Sequence, residues 1–192
     1  DSDPFTFDRS NNPVIDLIEP EDRGMENFSA LAYDDAFDAL IDLLSDDYAF
    51  TDHKQLDWET LRTTFRPRFE EAEANNDDLA FRRALRDFSF SIPDGHVSGP
   101  FVVEDFRLET GGGLGMAIRA LDNGRIIANF IVADGPADRA GIVEGAEIIS
   151  INGIPIDEFV QETVALSAPF STAHFEQLQK LRYAMRSPLG TV

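Results

Sequence analysis

The chain has 192 residues, a formal net charge of −20, no cysteine, and 43% hydrophobic residues, sixteen of them phenylalanine. That length leaves room for one or two domains with real cores, and the apolar content excludes general disorder. The acidity argues against nucleic acid as a partner, since phosphate binding needs a basic face, and without cysteine there are no disulfides, thiolate metal sites or cysteine nucleophile.

Residues 1–26 are acidic, carry Pro4, Pro13 and Pro20, and show only the short apolar patch Val14-Ile15-Asp16-Leu17-Ile18. They read as an extended arm with a strand or turn that docks on the body. Asp1, Asp3 and Asp8 lack the glycine and closing glutamate of an EF-hand loop, so this reads as a solvated terminus and not a calcium site. From Asn27 the period becomes helical. Phe37, Leu40, Ile41, Leu44 and Tyr48 make one apolar stripe, with Asp34, Asp35, Asp38 and Asp42 off it. Asp57 can cap a second helix with the stripe Trp58, Leu61, Phe65, Phe69 and Ala72. Pro67, inside that pattern, should bend or interrupt the helix. Asn76-Asp77-Asp78 marks a third start, followed by Phe81, Leu85 and Phe88. Residues 27–96 thus read as a small helical bundle whose aromatics form its core.

Residues 97–192 change period again. Phe101 to Leu108 reads as a first strand, and the glycine cluster Gly111 to Gly115 opens two further runs, Met116 to Ala120 and Ile126 to Val132. Pro136 to Gly141 is a short helix that starts at a proline and stops at a glycine. Ile148 to Ile151 breaks at Asn152-Gly153, which accepts the left-handed geometry of a tight hairpin. Asp157 to Ala168 is mixed. Thr172 to Arg186 carries Phe175, Leu178, Leu181 and Met185 at helical spacing, with Ser171 or Thr172 as cap. Ser187 to Val192 starts what should be the last strand. The fold class is α+β: a helical bundle, then a half-open β-barrel with flanking helices.

Three features of this second half resemble a PDZ domain. Gly113-Leu114-Gly115-Met116 stands where that family has its G-L-G-F loop. Pro136 to Gly141 matches P-A-x-x-A-G, and Gly145-Ala146-Glu147-Ile148 through Asn152-Gly153 matches G-D-x-I…N-G. Ala146 departs from the usual aspartate, which loses a side-chain hydrogen bond in a turn away from the groove. The resemblance implies a groove that takes the C-termini of proteins or peptides. Backbone N–H groups of Leu114, Gly115 and Met116 would hold the terminal carboxylate in a nest. The strand containing Met116, Ala117, Ile118 and Arg119 would pair with the incoming peptide. The helix carrying Leu178 would form the far wall, with Arg119 as a possible helper. Met116 implies broad apolar specificity, because thioether chains re-pack easily.

The helical part has a resemblance of its own. Tyr48-Ala49-Phe50, Leu56-Asp57-Trp58, Phe65-Arg66-Pro67 and Asp94-Gly95-His96-Val97 look like the segment that precedes the PDZ domain in S41 serine peptidases, the tricorn-like and C-terminal processing group. The tricorn-like branch fits best. In it, a histidine at the place of His96 acts as general base, while the nucleophilic serine and a glutamate come from a later domain; in the C-terminal processing branch the base is a lysine of that later domain and this histidine is not. An imidazole titrates near neutrality and can accept a serine proton. The bland alternative is that Asp94-Gly95 makes a turn that His96 hydrogen-bonds. His53 and His174 have no partner pattern.

No G-G-x-x-x-S motif follows Gly153, and neither a G-x-S-x-G elbow nor a G-x-x-x-x-G-K-S/T loop occurs. Gly111, Gly113 and Gly115 miss dinucleotide spacing, because Met116 and Ile118 fall where the last glycine would stand. The expectation is a non-catalytic N-terminal part of an S41-type peptidase, inactive alone, that presents captured C-termini to a C-terminal catalytic domain of the same polypeptide. It needs no cofactor and no metal. A scaffold PDZ protein would explain the groove but not the helical pattern. A carrier of the retinoid-binding-protein type would use the same architecture without proteolysis. Arginine supplies fourteen of the sixteen basic residues, and such lysine-poor, aspartate-rich surfaces suit a periplasmic, secreted or cell-surface setting. No run approaches the roughly 20 apolar residues of a membrane span. A start at Asp1 without a signal pattern reads as a mature or trimmed boundary.

Overall fold

The computed structural model describes residues 26–191. Nearly all of the expected arm, with Asp1, Asp3 and Asp8, lies outside them. Helix α1 (Tyr33–Asp47), the single turn α2 (Thr51–Lys54), α3 (Trp58–Ala74) and α4 (Asp78–Phe90) form the N-terminal region. Asp57 caps α3 by accepting from Thr60 N–H at 3.0 Å, and Asp77 caps α4 through the amides of Leu79 and Ala80. The helices meet along their stripes. Phe37, Phe69 and Phe88 are fully buried, with Phe37 stacked on Phe69 at 4.2 Å and edge-on to Phe88 at 5.1 Å. Each such ring contributes about 1.5–3 kcal/mol by leaving water.

Three of the four aspartates off the α1 stripe also have partners: Arg62 and Arg66 of α3 pair with Asp34, Asp38 and Asp42. Pro67 does not interrupt α3, which runs unbroken through it. The ring removes one backbone donor, and the buried Phe65 and Phe69 on either side hold the flanking turns in place.

Phe101 to Leu108 is not a strand. Val103–Thr110 is a helix, α5, with Glu104 and Asp105 in its first turn, where the helix dipole favours negative charge. The decisive contact is long-range. Asp105 is clasped by Arg83 and Arg86 of α4, with Arg83 Nε 2.9 Å and Arg86 Nη1 2.7 Å from Asp105 Oδ2.

The remaining elements are β1 (Gly112–Gly113), β2 (Met116–Ala120), β3 (Ile126–Ile131), α6 (Pro136–Arg139), β4 (Ser150–Ile151), β5 (Ile154–Pro155), α7 (Ile156–Glu162), α8 (Ala173–Tyr183) and β6 (Arg186–Ser187). The strands are short antiparallel pairs, β1 with β6, β2 with β3 and β4 with β5, and no closed barrel forms among the described residues. The Asn152-Gly153 turn between β4 and β5 has both residues at positive φ, 53° and 82°, as a type I′ hairpin requires. A second core, with Ile118, Ile126, Ile156, Val160, Leu181 and Met185, joins β2 and β3 to α7 and α8. That packing lays α8 alongside β2.

Candidate functional site

Between β2 and α8 runs a groove of about 660 Å³. Its floor is β2, whose outer edge has no strand partner among the described residues. Hydrogen bonding on the other side of the pair shows which groups that edge offers. Val132 N–H donates to Gly115 O at 2.8 Å, and Ala128 spends its N–H on Ala146 O and its C=O on Gly145 N–H. In register, Met116 faces Ile131 and Ile118 faces Ala128. Both are therefore pairs without mutual hydrogen bonds, and the N–H and C=O of Met116 and Ile118 point away from β3, toward the groove. A bulge at Asn129, opposite the Ala117/Ile118 step, keeps this alternation in phase.

Of the three amides expected to form the nest, Leu114 N–H is already committed, donating to Met185 O at 3.1 Å. The Leu114 side chain does not line the groove. This corrects the expected donor set, because the start of β6 holds this loop by the same strand pairing that brings Arg186 opposite Gly113. Gly115 N–H has no partner among the described residues, and Met116 N–H lies on the open edge. Two donors remain where three were expected. Glycine is required at the loop on steric grounds. Gly115 has φ +70°, and a Cβ there would sit 2.9 Å from Pro136 Cδ; a Cβ at Gly113 would meet Met185 O at 2.6 Å.

The side chains around the slot are Met116, Ala117, Ile118 and Arg119 from β2, Phe130 from β3 and Val132 just after it, and Leu178, Leu181, Arg182 and Met185 from the α8 side. Arg182 and Arg186 were not singled out in the sequence, although Arg182 lies four residues after Leu178 and so on the same helical face.

The second site is the turn after α4. Asp94 is 4% exposed and accepts from Tyr48 Oη at 2.6 Å, His96 N–H at 3.0 Å, His96 Nδ1 at 3.0 Å and Ser171 Oγ at 3.3 Å. These donors, Tyr48 foremost and His96 next, hold its carboxyl well below the usual carboxylate range. Burial, and then the bond to Asp94, pushes the Tyr48 phenol up to about 12. An ionised Asp94 only accepts, so Nδ1 of His96 carries the proton and Nε2 is the free base position. The imidazole itself is 93% exposed. Ser171 Oγ accepts from Gly95 N–H at 2.8 Å and donates a hydrogen bond to Asp94. It is thus bonded to the carboxylate instead of the imidazole, which is not how a base activates a serine nucleophile. His53 and His174 are exposed. Among the described residues no group of three or more His, Asp or Glu is placed to hold a metal, and no helix is long and apolar enough to cross a membrane.

A family model for the PDZ domain matches residues 103–168. The C-terminal region is a PDZ domain. Its groove takes its far wall, α8, from beyond the matched segment. No curated protein matches the chain. Among solved structures it is similar to a crystal structure of a CPAF point mutant, with 16% identity and a TM-score of 0.54 over 81% of this chain and 28% of that one. It is also similar to mature CPAF, at 16% and 0.52 over 84% and 29%. Mature CPAF complexed with lactacystin gives 12% and 0.51 over 82% and 28%. This chain spans under a third of those chains. The likeness is one of fold, and because it covers more than four-fifths of this chain it extends from the PDZ domain into the helical region.

Proposed function

We propose that the groove binds the C-terminal end of a polypeptide, and that this chain is the substrate-handling N-terminal part of an S41-type serine peptidase. PDZ domains bind peptide C-termini, and one observation carries the reading here: the outward backbone groups of Met116 and Ile118 continue from the unpartnered Gly115 amide beside the wall of α8. An extended tail can add as a strand to that edge while its carboxylate meets the Gly115 and Met116 amides. The order of helical region and PDZ domain, the fold shared with CPAF across both, and the imidazole that Asp94 orients support the peptidase part. In that reading His96 Nε2 accepts the proton of a serine supplied outside this sequence, and Asp94 stabilises the imidazolium.

The test uses fluorescent peptides with an apolar terminal residue, as free acid and as C-terminal amide, titrated against the purified chain. Charge-assisted bonds of about 1.5–3 kcal/mol predict at least about tenfold tighter binding of the acid, and the same preparation is expected to cleave neither peptide. Equal affinity for both forms overturns carboxylate recognition. Proteolysis that a point change in this chain abolishes overturns the division of labour.

A further inference from the structure

We infer that the groove selects tails carrying an acidic residue a few positions before the apolar end, with Arg119 and Arg182 as the specificity-determining side chains. This rests on the C-terminal binding reading above. The observation behind it is that every arginine lining the groove is left without an ion-pair partner among the described residues. In the helical region Arg62, Arg66, Arg68, Arg82, Arg83 and Arg86 all sit in ion pairs. The three arginines lining the groove, Arg119, Arg182 and Arg186, are in none among the described residues, and all three are exposed. Although the chain has 36 acidic residues, none of the described aspartates and glutamates lines this groove. It is an electropositive strip on an acidic protein.

Position separates the roles of the three. Arg186 stands opposite Gly113 in the β1–β6 pairing, at the end of the groove where the terminal carboxylate would enter. Arg119 lies three residues along β2 from Met116, a rise of about 10 Å, so it flanks the tail about three residues before its end. Ile118 is buried, so by alternation Arg119 lies on the opposite face of β2. Arg182 approaches from the last turn of α8, across the slot. An acidic side chain that points to that outer face of the tail meets Arg119, while Arg182, one helical turn before Arg186, adds its charge from nearer the carboxylate end.

The protein's overall charge predicts the reverse preference. A body of charge −20 attracts basic peptides and repels acidic ones, but that field is largely screened beyond about 8 Å at physiological salt. The arginines act at contact distance. Exposed ion pairs of this kind are worth up to about a fivefold change in affinity each, so two predict a preference of about twofold to twenty-five-fold.

The experiment titrates the chain with peptides that share an apolar C-terminal residue and free carboxylate and differ at one site three residues upstream, holding Glu, Gln or Lys. The Gln peptide is also made as its amide. The expected order is Glu tighter than Gln tighter than Lys, with the gap narrowing as salt rises. R119Q together with R182Q should bring the affinity ratios among the Glu, Gln and Lys peptides close to one. Lys binding as tightly as Glu, or a gap that survives both substitutions, overturns the inference. If the Gln acid outbinds its amide but Glu gains nothing over Gln, the acidic preference alone falls. If acid and amide bind alike, or no peptide binds, the carboxylate reading falls with it.

Discussion

Replacing Asp94 by asparagine keeps the size and shape of the side chain and removes its charge. Four donors converge on that one carboxylate, from Tyr48, the His96 amide, the His96 ring and Ser171. Exchanging a charged for a neutral acceptor costs about 1 kcal/mol per bond. The Tyr48 hydroxyl can turn to accept from the new amide and offset one of the four. Asp94→Asn should therefore destabilise the chain by about 2–4 kcal/mol near neutral pH. The sign with pH follows from the depressed folded-state value of Asp94. Its contribution is complete above the ordinary carboxylate value of about 3.9 and is lost as pH falls toward the depressed one, while asparagine does not titrate. The gap between wild type and variant should be smaller at about pH 3 than at about pH 5. Trp58, the single tryptophan, reports on the site directly, with its ring 5.8 Å from that of Tyr48 and its Nε1 donating to Thr51 Oγ1. Urea unfolding followed by its fluorescence gives both quantities. A gap below about 1 kcal/mol near neutral pH, or one that widens from about pH 5 to about pH 3, would refute the reasoning.

Asp105→Asn should loosen the clasp between α4 and α5 at a cost of about 1–3 kcal/mol. Arg83, with Arg86, holds Asp105 down to about 2, so wild-type and variant thermal melts should converge as pH falls from about 4 toward that value. Gly115→Ala should cost about 1–2 kcal/mol through the left-handed backbone alone. It should also weaken binding of a free-acid peptide at least about tenfold by displacing a nest amide, which urea unfolding and fluorescence anisotropy would measure side by side.

Local chemistry was readable from the sequence wherever it decides the conformation. β2 spans Met116–Ala120, the run its alternation marked, and Asp57, Asp77 and Thr172 all cap as their positions suggested. Asn152-Gly153 turns as that dipeptide must. The misreadings have tertiary causes. The run from Phe101 to Leu108 is ambiguous by period alone, and contacts to arginines some twenty residues away favour the helix. The Leu114 amide was lost to Met185, which pairing far along the chain brings to the loop. The Asp94 hub could not be read as a spacing, since Tyr48 lies 46 residues before it and Ser171 lies 77 after. His96 was visible as an imidazole after a turn, but the carboxylate that fixes its tautomer became meaningful only once those donors met.

The bare flank of β2 is also a hazard, because unsatisfied ladder groups invite copies of the same chain to stack edge to edge. Here the invitation is narrow. The strand is five residues long, a bulge in its neighbour breaks the flatness that stacking needs, and α8 stands over the slot so that a sheet cannot slide in. Like-charged molecules at −20 also keep one another at a distance. What fits is a single loose chain end arriving lengthwise, so the shape that would admit such a guest also guards the molecule against clumping.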